Sequence, residues 1–478
     1  MRATGLSLLT AAAMALPGSA WAAGAGHSDP IAPVILGMTA ILCCALLGRY
    51  LARRLGQPSV LGELVMGIAL GNGLYWLGLD FITVLREGTA VFDIVERALE
   101  GNDWHSAAHA VLPPKKANEI LAILQGPHGA DILHVAQAVD LFSRYGVIFM
   151  LFLVGLETSL RELRAVGGDS VRVALIGVIA PFALGFTAAL YLLPEKDLNT
   201  DLFIAAALCA TSVGITARVL QDLGRSRSPE AHIILGAAVM DDVLGLLILT
   251  IVSGIVVTGS LDLAQMGLTT FKAVLFLGGA ILLGPWFLRR VIGFMRHMAL
   301  VEAKLFVSFI FVMLLAWLAN LAGLATIVGA FAAGVILHDG YFERWHTEDE
   351  GRRPLTIHEL VAPLEAVLAP IFFVLMGVQV KIETFLDPDV ALLALGLLAA
   401  AVAGKVLAGW GARAAVNRWV VGVGMMPRGE VGLIFASIGM GLGVIDEALF
   451  AAVVLMVIVT TLITPPALRR LYAPSDSV

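Results

Sequence analysis

The chain has 478 residues, 59% of them hydrophobic and only 14% charged. A soluble chain is about 25% charged, so a soluble multidomain protein is excluded. The net charge of −6 excludes the basic footprint of a nucleic-acid binder.

Residues 1–23 carry one basic residue, Arg2, then a short apolar stretch, then small residues around Ala20–Trp21–Ala22. That pattern predicts a cleaved signal peptide, too short to span and ending at an A-x-A-like site. Residues 31–470 then read as one membrane domain. A span takes about 20 mostly apolar residues. Thirteen windows meet that need, near 31–49, 58–79, 138–156, 171–193, 201–220, 232–258, 266–288, 301–321, 322–338, 361–380, 390–411, 426–443 and 445–467. The eighth and ninth nearly fuse through Asn320. Glycine is abundant, 50 residues, as close helix packing in a membrane requires. Cys43, Cys44 and Cys209 lie in apolar runs and read as small core residues rather than a disulfide framework.

Lys and Arg collect in alternate loops: Arg49, Arg53 and Arg54; Arg161 and Arg164; Arg225 and Arg227; Arg289, Arg290 and Arg296; Arg344, Arg352 and Arg353; Arg413 and Arg418; Arg469 and Arg470. The opposite short loops carry Lys196, Lys381 or none. The positive-inside rule then puts the C-terminus in the cytoplasm and the N-terminus outside. An odd span count agrees with a cleaved leader. The loop 81–137 would be a long external insertion. Its amphipathic stretches, Phe92 to Ala110 and Ala117 to Leu124, flank Pro113–Pro114 and predict two short helices over the outer face. His105 and His109, four apart, share a helix face, but two histidines fall short of a metal ligand set.

The chemistry sits in the spans. Asp241 and Asp242 lie in GAAVMDDVLGLLILTIVSGIVV. One charge at the bilayer centre costs about 2.5–3.5 kcal/mol on insertion scales, and adjacent carboxylates also repel each other. Helix neighbours point about 100° apart, so one can face a fixed cation and the other a water-filled path. A capping role is excluded because apolar residues run on both sides. Lys405, the basic residue inside LLALGLLAAAVAGKVLAGWGA, keeps its proton in such a place only beside a carboxylate, and one of the aspartates is the natural partner. Snorkelling to the interface is the competing reading. Thr211, Ser212 and Gly214 interrupt one apolar window, and Met425–Met426–Pro427–Arg428–Gly429–Glu430 interrupts another. Such residues let a helix unwind and offer oxygens to an ion. Arg428 and Glu430 can neutralise the half-helix ends.

The stretches GQPSVLGELVMGIALG, FLVGLETSLREL, ATSVGITARVLQDLG, ILGAAVMDDVLGLLIL, GAFAAGVIL, PIFFVLMGVQV and GMMPRGEVGLIFASIG resemble the bacterial monovalent cation:proton antiporter-2 family, in order and over nearly the whole chain after the leader. The resemblance implies an all-α polytopic membrane protein of the sodium/proton antiporter fold, with inverted repeats, two crossed broken helices and a homodimer. It implies residence in the bacterial plasma membrane among lipid, with no nucleic-acid partner, no cofactor and no enzymatic reaction. Asp242 would be the main carrier of Na+ and H+, Asp241 would pair with Lys405, and Thr211 and Ser212 would lie beside the ion. Arg428 and Glu430 would hold the second broken helix. Glu157 and Glu63 match acidic family positions and read as gating or structural residues. Insertion 81–137 and the leader depart from the family pattern. Potassium-efflux members usually carry glutamine where this chain has Asp241, which favours electrogenic sodium/proton exchange. Potassium/proton exchange is the alternative, and a non-transporting cation sensor or an organic-anion symporter the more distant ones.

Overall fold

The computed structural model describes residues 31–472, apart from 102, 158–166, 194–196, 213–215, 217–218, 221–222, 224, 226–227, 259–262, 296–297, 323, 343–354 and 414. The expected leader lies outside the described residues. Among those described, the long regular elements are α-helices: α1 (Ala32–Arg54), α2 (Ser59–Trp76), α3 (Asp80–Glu87), α4 (Thr89–Leu99), α5 (Trp104–Val111), α6 (Pro114–Leu124), α7 (Gly129–Glu157), α8 (Gly168–Leu192) and α9 (Leu198–Ala207). They continue as α10 (Pro229–Thr258), α11 (Leu263–Phe294), α12 (Leu300–Leu321), α13 (Thr326–Ile336), α14 (Ile357–Gln379), α15 (Pro388–Ala408), α16 (Arg418–Gly424), α17 (Glu430–Gly441) and α18 (Glu447–Tyr472).

Eight of these, α1, α7, α8, α10, α12, α14, α15 and α18, are long and apolar enough to cross a bilayer. Their outer surface agrees with that use. Ile179 of α8 is 64% exposed, Leu395 of α15 61% and Trp317 of α12 57%. Contiguous apolar surface of this kind is unfavourable against water and neutral against lipid tails. The two windows that nearly fuse at Asn320 are separate helices, α12 and α13, parted at Ala322.

One unit comprises residues 1–146 and 367–384. Here α1 packs on α2, and Arg49 Nε donates to the buried Glu63 carboxylate at 2.7 Å. Glu63 therefore ties two helices together. Segment 80–124 holds four helices where the amphipathic pattern suggests two. Gly88, at φ +57°, divides the first pair, because a side chain is strained in that region. Asp103 starts α5 by accepting from the His105 amide, a capping bond. Val91 and Ile94 are fully buried, so the segment has an apolar underside of its own. Polar bonds fasten it. Arg86 Nη2 donates to Asn72 Oδ1 at 3.1 Å and Glu383 Oε1 at 2.7 Å, and its guanidinium lies 4.0 Å from the Tyr75 ring centre. Lys381 Nζ lies 2.8 Å from Glu87 Oε1. The His105 and His109 rings stack at 5.4 Å.

The other unit comprises 147–366 and 385–478. It pairs α8 with α15, α8 with α10, and α15 with α18. Close approach depends on small residues. A Cβ on Gly334 of α13 would sit 2.1 Å from the Phe152 carbonyl oxygen of α7. Lys304 Nζ donates to Asp339 Oδ1 at 2.6 Å, and Asp339 accepts the Ile357 amide at the start of α14. This unit carries the candidate site.

Candidate functional site: crossed broken helices around a buried ion pair

The site forms where two chains of backbone stop being helical. Helix α9 ends at Ala207, and the backbone from Ala210 to Ser212 has no regular secondary structure. Helix α16 ends at Gly424, and α17 begins only at Glu430. Local sequence explains both breaks. Hydroxyl residues at Thr211 and Ser212 offer backbone groups a side-chain alternative to the helical ladder. Pro427 lacks an amide hydrogen and disfavours helix at the residue before it.

The interrupted segments repair each other. The Ser212 amide donates to the Pro427 carbonyl at 2.9 Å. Thr216 Oγ1 donates to the Gly424 carbonyl at 2.7 Å, and Thr211 Oγ1 to the Met425 carbonyl at 3.4 Å. Thr461 of α18 donates from Oγ1 to the Arg428 carbonyl at 2.7 Å. Water is absent from a bilayer interior, so these bonds replace those the helix gave up. Arg428 is fully buried. Its guanidinium donates to the Ala210 carbonyl and to the Ala401 carbonyl. A cation there offsets the partial negative charge at the C-terminal end of α9. Arg428 thus supports the first interrupted helix.

Beside this crossing, Lys405 Nζ of α15 donates to both carboxylate oxygens of Asp241 of α10, each at 2.9 Å. Neither side chain has any exposure. Lys405 therefore does not snorkel. Gly177 of α8 packs beside it, a Cβ there lying in ordinary contact at 3.6 Å from Lys405 Nζ. Asp242 follows on the same helix, about 100° round. The side chains of Asp242, Glu157 and Glu430 lie outside the described residues. Glu157 is the last residue of α7 and Glu430 the first of α17. Thr211 and Ser212 are buried at the crossing. Glu63 belongs to the other unit, paired with Arg49.

Thr216 and Thr461 are site residues that sequence reasoning missed. Their signal was weak, a hydroxyl in an apolar helix, which most often bonds its own preceding turn. The arrangement offers a buried carboxylate, Asp241, held by a fixed cation, with hydroxyl and carbonyl oxygens at the crossing. Hard oxygen ligands suit alkali cations, and the same carboxylates take protons.

Residues 108–472 match the sodium/hydrogen exchanger transmembrane family. The chain is 35% identical to the high-affinity sodium/proton antiporter NhaS3 of Synechocystis sp., over 92% of this chain and 90% of that one. It is 32% identical to the Na+/H+–K+ antiporter GerN of Bacillus cereus, over 91% and 95%. The fold is similar to that of the sodium proton antiporter MjNhaP1 from Methanocaldococcus jannaschii, with TM-score 0.58 at 15% identity, covering 92% of this chain and 96% of that one.

Proposed function

We propose that this chain, which belongs to the sodium/hydrogen exchanger family, exchanges Na+ or Li+ for H+ across the bacterial plasma membrane, with Asp241 and Asp242 as the shared cation and proton site. The observation that carries the reading is the fully buried Asp241–Lys405 pair set against two crossed helix breaks. Paired acids with nearby hydroxyls suit a small alkali cation, and interrupted helices are where transporters bind ions. Relatives at 35% and 32% identity bear antiporter names.

In the cycle we propose, the site opens to the cytoplasm and Na+ displaces protons from Asp242. Lys405 holds Asp241 charged until the cation competes for it. The loaded site then moves relative to the membrane, and protons from the far side reload the carboxylates and release Na+. Coupling follows because an unneutralised carboxylate is costly to carry through an apolar barrier. Thr211 and Ser212 supply oxygens at the crossing, and Arg428 with Glu430 fixes the broken helices. Glu157 stands at a helix end suited to gating. The charge pattern supports an outer N-terminus and cytoplasmic C-terminus, with a cleaved leader and segment 81–137 outside. Family likeness supports a homodimer and electrogenic exchange, with no cofactor.

Transport in everted vesicles with Na+, Li+ and K+ tests this. Proton movement in response to Na+ and Li+ is the expected result, and a response to K+ alone rejects the sodium reading. Potassium/proton exchange is the second reading, favoured by the potassium in the name of GerN.

A further inference from the structure

We infer that the turn after α15, with the starts of α8 and α16, binds the phosphate of an anionic phospholipid, one acyl chain lying on the apolar stripe beside it. The inference goes beyond the antiport reading and holds whichever cation is moved.

Close backbone approach builds the turn. After α15 a short 3-10 turn, Gly409–Gly411, leads toward Arg418 at the start of α16. A Cβ on Gly409 would lie 2.1 Å from the Arg418 carbonyl oxygen, and one on Gly411 2.7 Å from the Val173 amide nitrogen of α8. Glycine permits both contacts. The chain thus doubles back, and Trp410 meets Trp419 edge to face at 5.1 Å. The same turn gathers three guanidiniums. Arg172 Nε of α8 donates to the Gly411 carbonyl at 2.9 Å, and Arg418 Nε to the adjacent Ala412 carbonyl at 3.1 Å. Arg172 and Arg413 share Asp169 Oδ1, Arg413 through Nε at 3.2 Å. A guanidinium has five donors, and these bonds use one or two of each. Two carboxylates stand by, Asp169 and Glu230, whose Oε1 accepts the Asn417 amide at 3.2 Å. Three guanidiniums against two carboxylates leave the described cluster with one net positive charge.

The surroundings point to a lipid rather than a soluble anion. Trp410 and Trp419 are 45% and 53% exposed. Tryptophan is favoured where headgroups meet acyl chains, one edge wet and the body apolar. Leu407 precedes Trp410 by three residues on α15, and Leu175 and Ile179 follow Arg172 by three and seven on α8. All three are exposed, and α8 packs against α15. Those spacings keep one helix face, so an apolar stripe leaves the cluster along each helix. The planar fork of arginine matches phosphate oxygens. A phospholipid answers both parts, its phosphate on the arginines and its chain on the stripe. Free phosphate answers the first part alone.

The test uses the full chain in detergent, titrated with phosphatidylglycerol, phosphatidylcholine or inorganic phosphate. Native mass spectrometry counts bound lipid, and thermal unfolding follows stability. Wild type is expected to prefer phosphatidylglycerol to phosphatidylcholine by about fivefold, since one net charge at an anionic surface is worth about 1 kcal/mol. Arg413→Gln is expected to remove the preference, and Asp169→Asn to raise it by about another fivefold. Opposite changes of this kind do not come from a general loss of folding. Arg54→Gln, which removes an exposed charge on α1, is expected to leave the preference unchanged. Equal binding of the two lipids by wild type overturns the site, as does a preference that survives in Arg413→Gln or falls equally in Arg54→Gln. Inorganic phosphate that raises the melting temperature as far as phosphatidylglycerol does would show a free-anion site and overturn the lipid assignment.

Discussion

Replacing Lys405 with glutamine removes the fixed cation from a pair that has no contact with solvent. Lys405 Nζ lies 2.9 Å from both oxygens of Asp241, and both side chains are fully buried. At an effective dielectric near 20, unit charges about 3 Å apart attract by roughly 5–6 kcal/mol. Desolvation opposes most of that gain, but it has already been incurred by the aspartate when its partner is removed. The loss on breaking one side of a buried pair is therefore about 3–5 kcal/mol. One kcal/mol moves the melting point by about 2–4 °C at 150–250 residues and less in a longer chain, so the expected fall is on the order of 5 °C. Thermal unfolding in detergent reads it. The double variant Asp241→Asn with Lys405→Gln leaves no orphan charge and is expected to recover at least about 2 kcal/mol relative to the sum of the single changes. A Lys405→Gln protein that melts within a degree of wild type, together with strictly additive single changes, would refute a structural ion pair.

Other consequences follow from named contacts. Asp242→Asn is expected to abolish Na+-driven proton flux while leaving insertion and melting unchanged, and retained flux in vesicles would remove Asp242 from the carrier role. Gly334→Ala places a Cβ 2.1 Å from the Phe152 carbonyl. Forcing α13 off α7 is expected to cost about 1–3 kcal/mol or more, seen as lost yield and a broader gel-filtration peak, and a well-behaved variant would contradict the close approach. Arg86→Ala leaves Glu383 and Asn72 short of a buried donor. It is expected to raise hydrogen exchange in residues 80–124 selectively, and a uniform or absent change would show that the segment is held by its apolar face alone.

The membrane-spanning character was readable because hydropathy is a local property: among the described residues, eight helices are long and apolar enough to cross a bilayer. Asp241 and Lys405 were readable for a related reason. A charge inside an apolar span needs a partner, and few candidates exist. The breaks at Thr211–Ser212 and Pro427 carried their own local chemistry. Segment 80–124 was harder. Its amphipathic pattern showed helices, but the division at Gly88 depends on a left-handed backbone that glycine permits without announcing. The Arg86–Glu383 and Lys381–Glu87 pairs join residues 297 and 294 positions apart. In polar stretches, charges like these look like solvated surface until the fold brings them together. Thr216 and Thr461 were missed for the same reason: their meaning depends on which backbone carbonyl they meet in space.

Competition of Na+ and H+ for one buried carboxylate pair can be measured directly on the purified protein by calorimetric titration with Na+ at several pH values, in buffers of different ionisation enthalpy. A shared site releases protons as Na+ binds, and its apparent affinity weakens up to tenfold for each unit of falling pH on the acid side. Binding of Na+ with no proton released and the same affinity at every pH would contradict it.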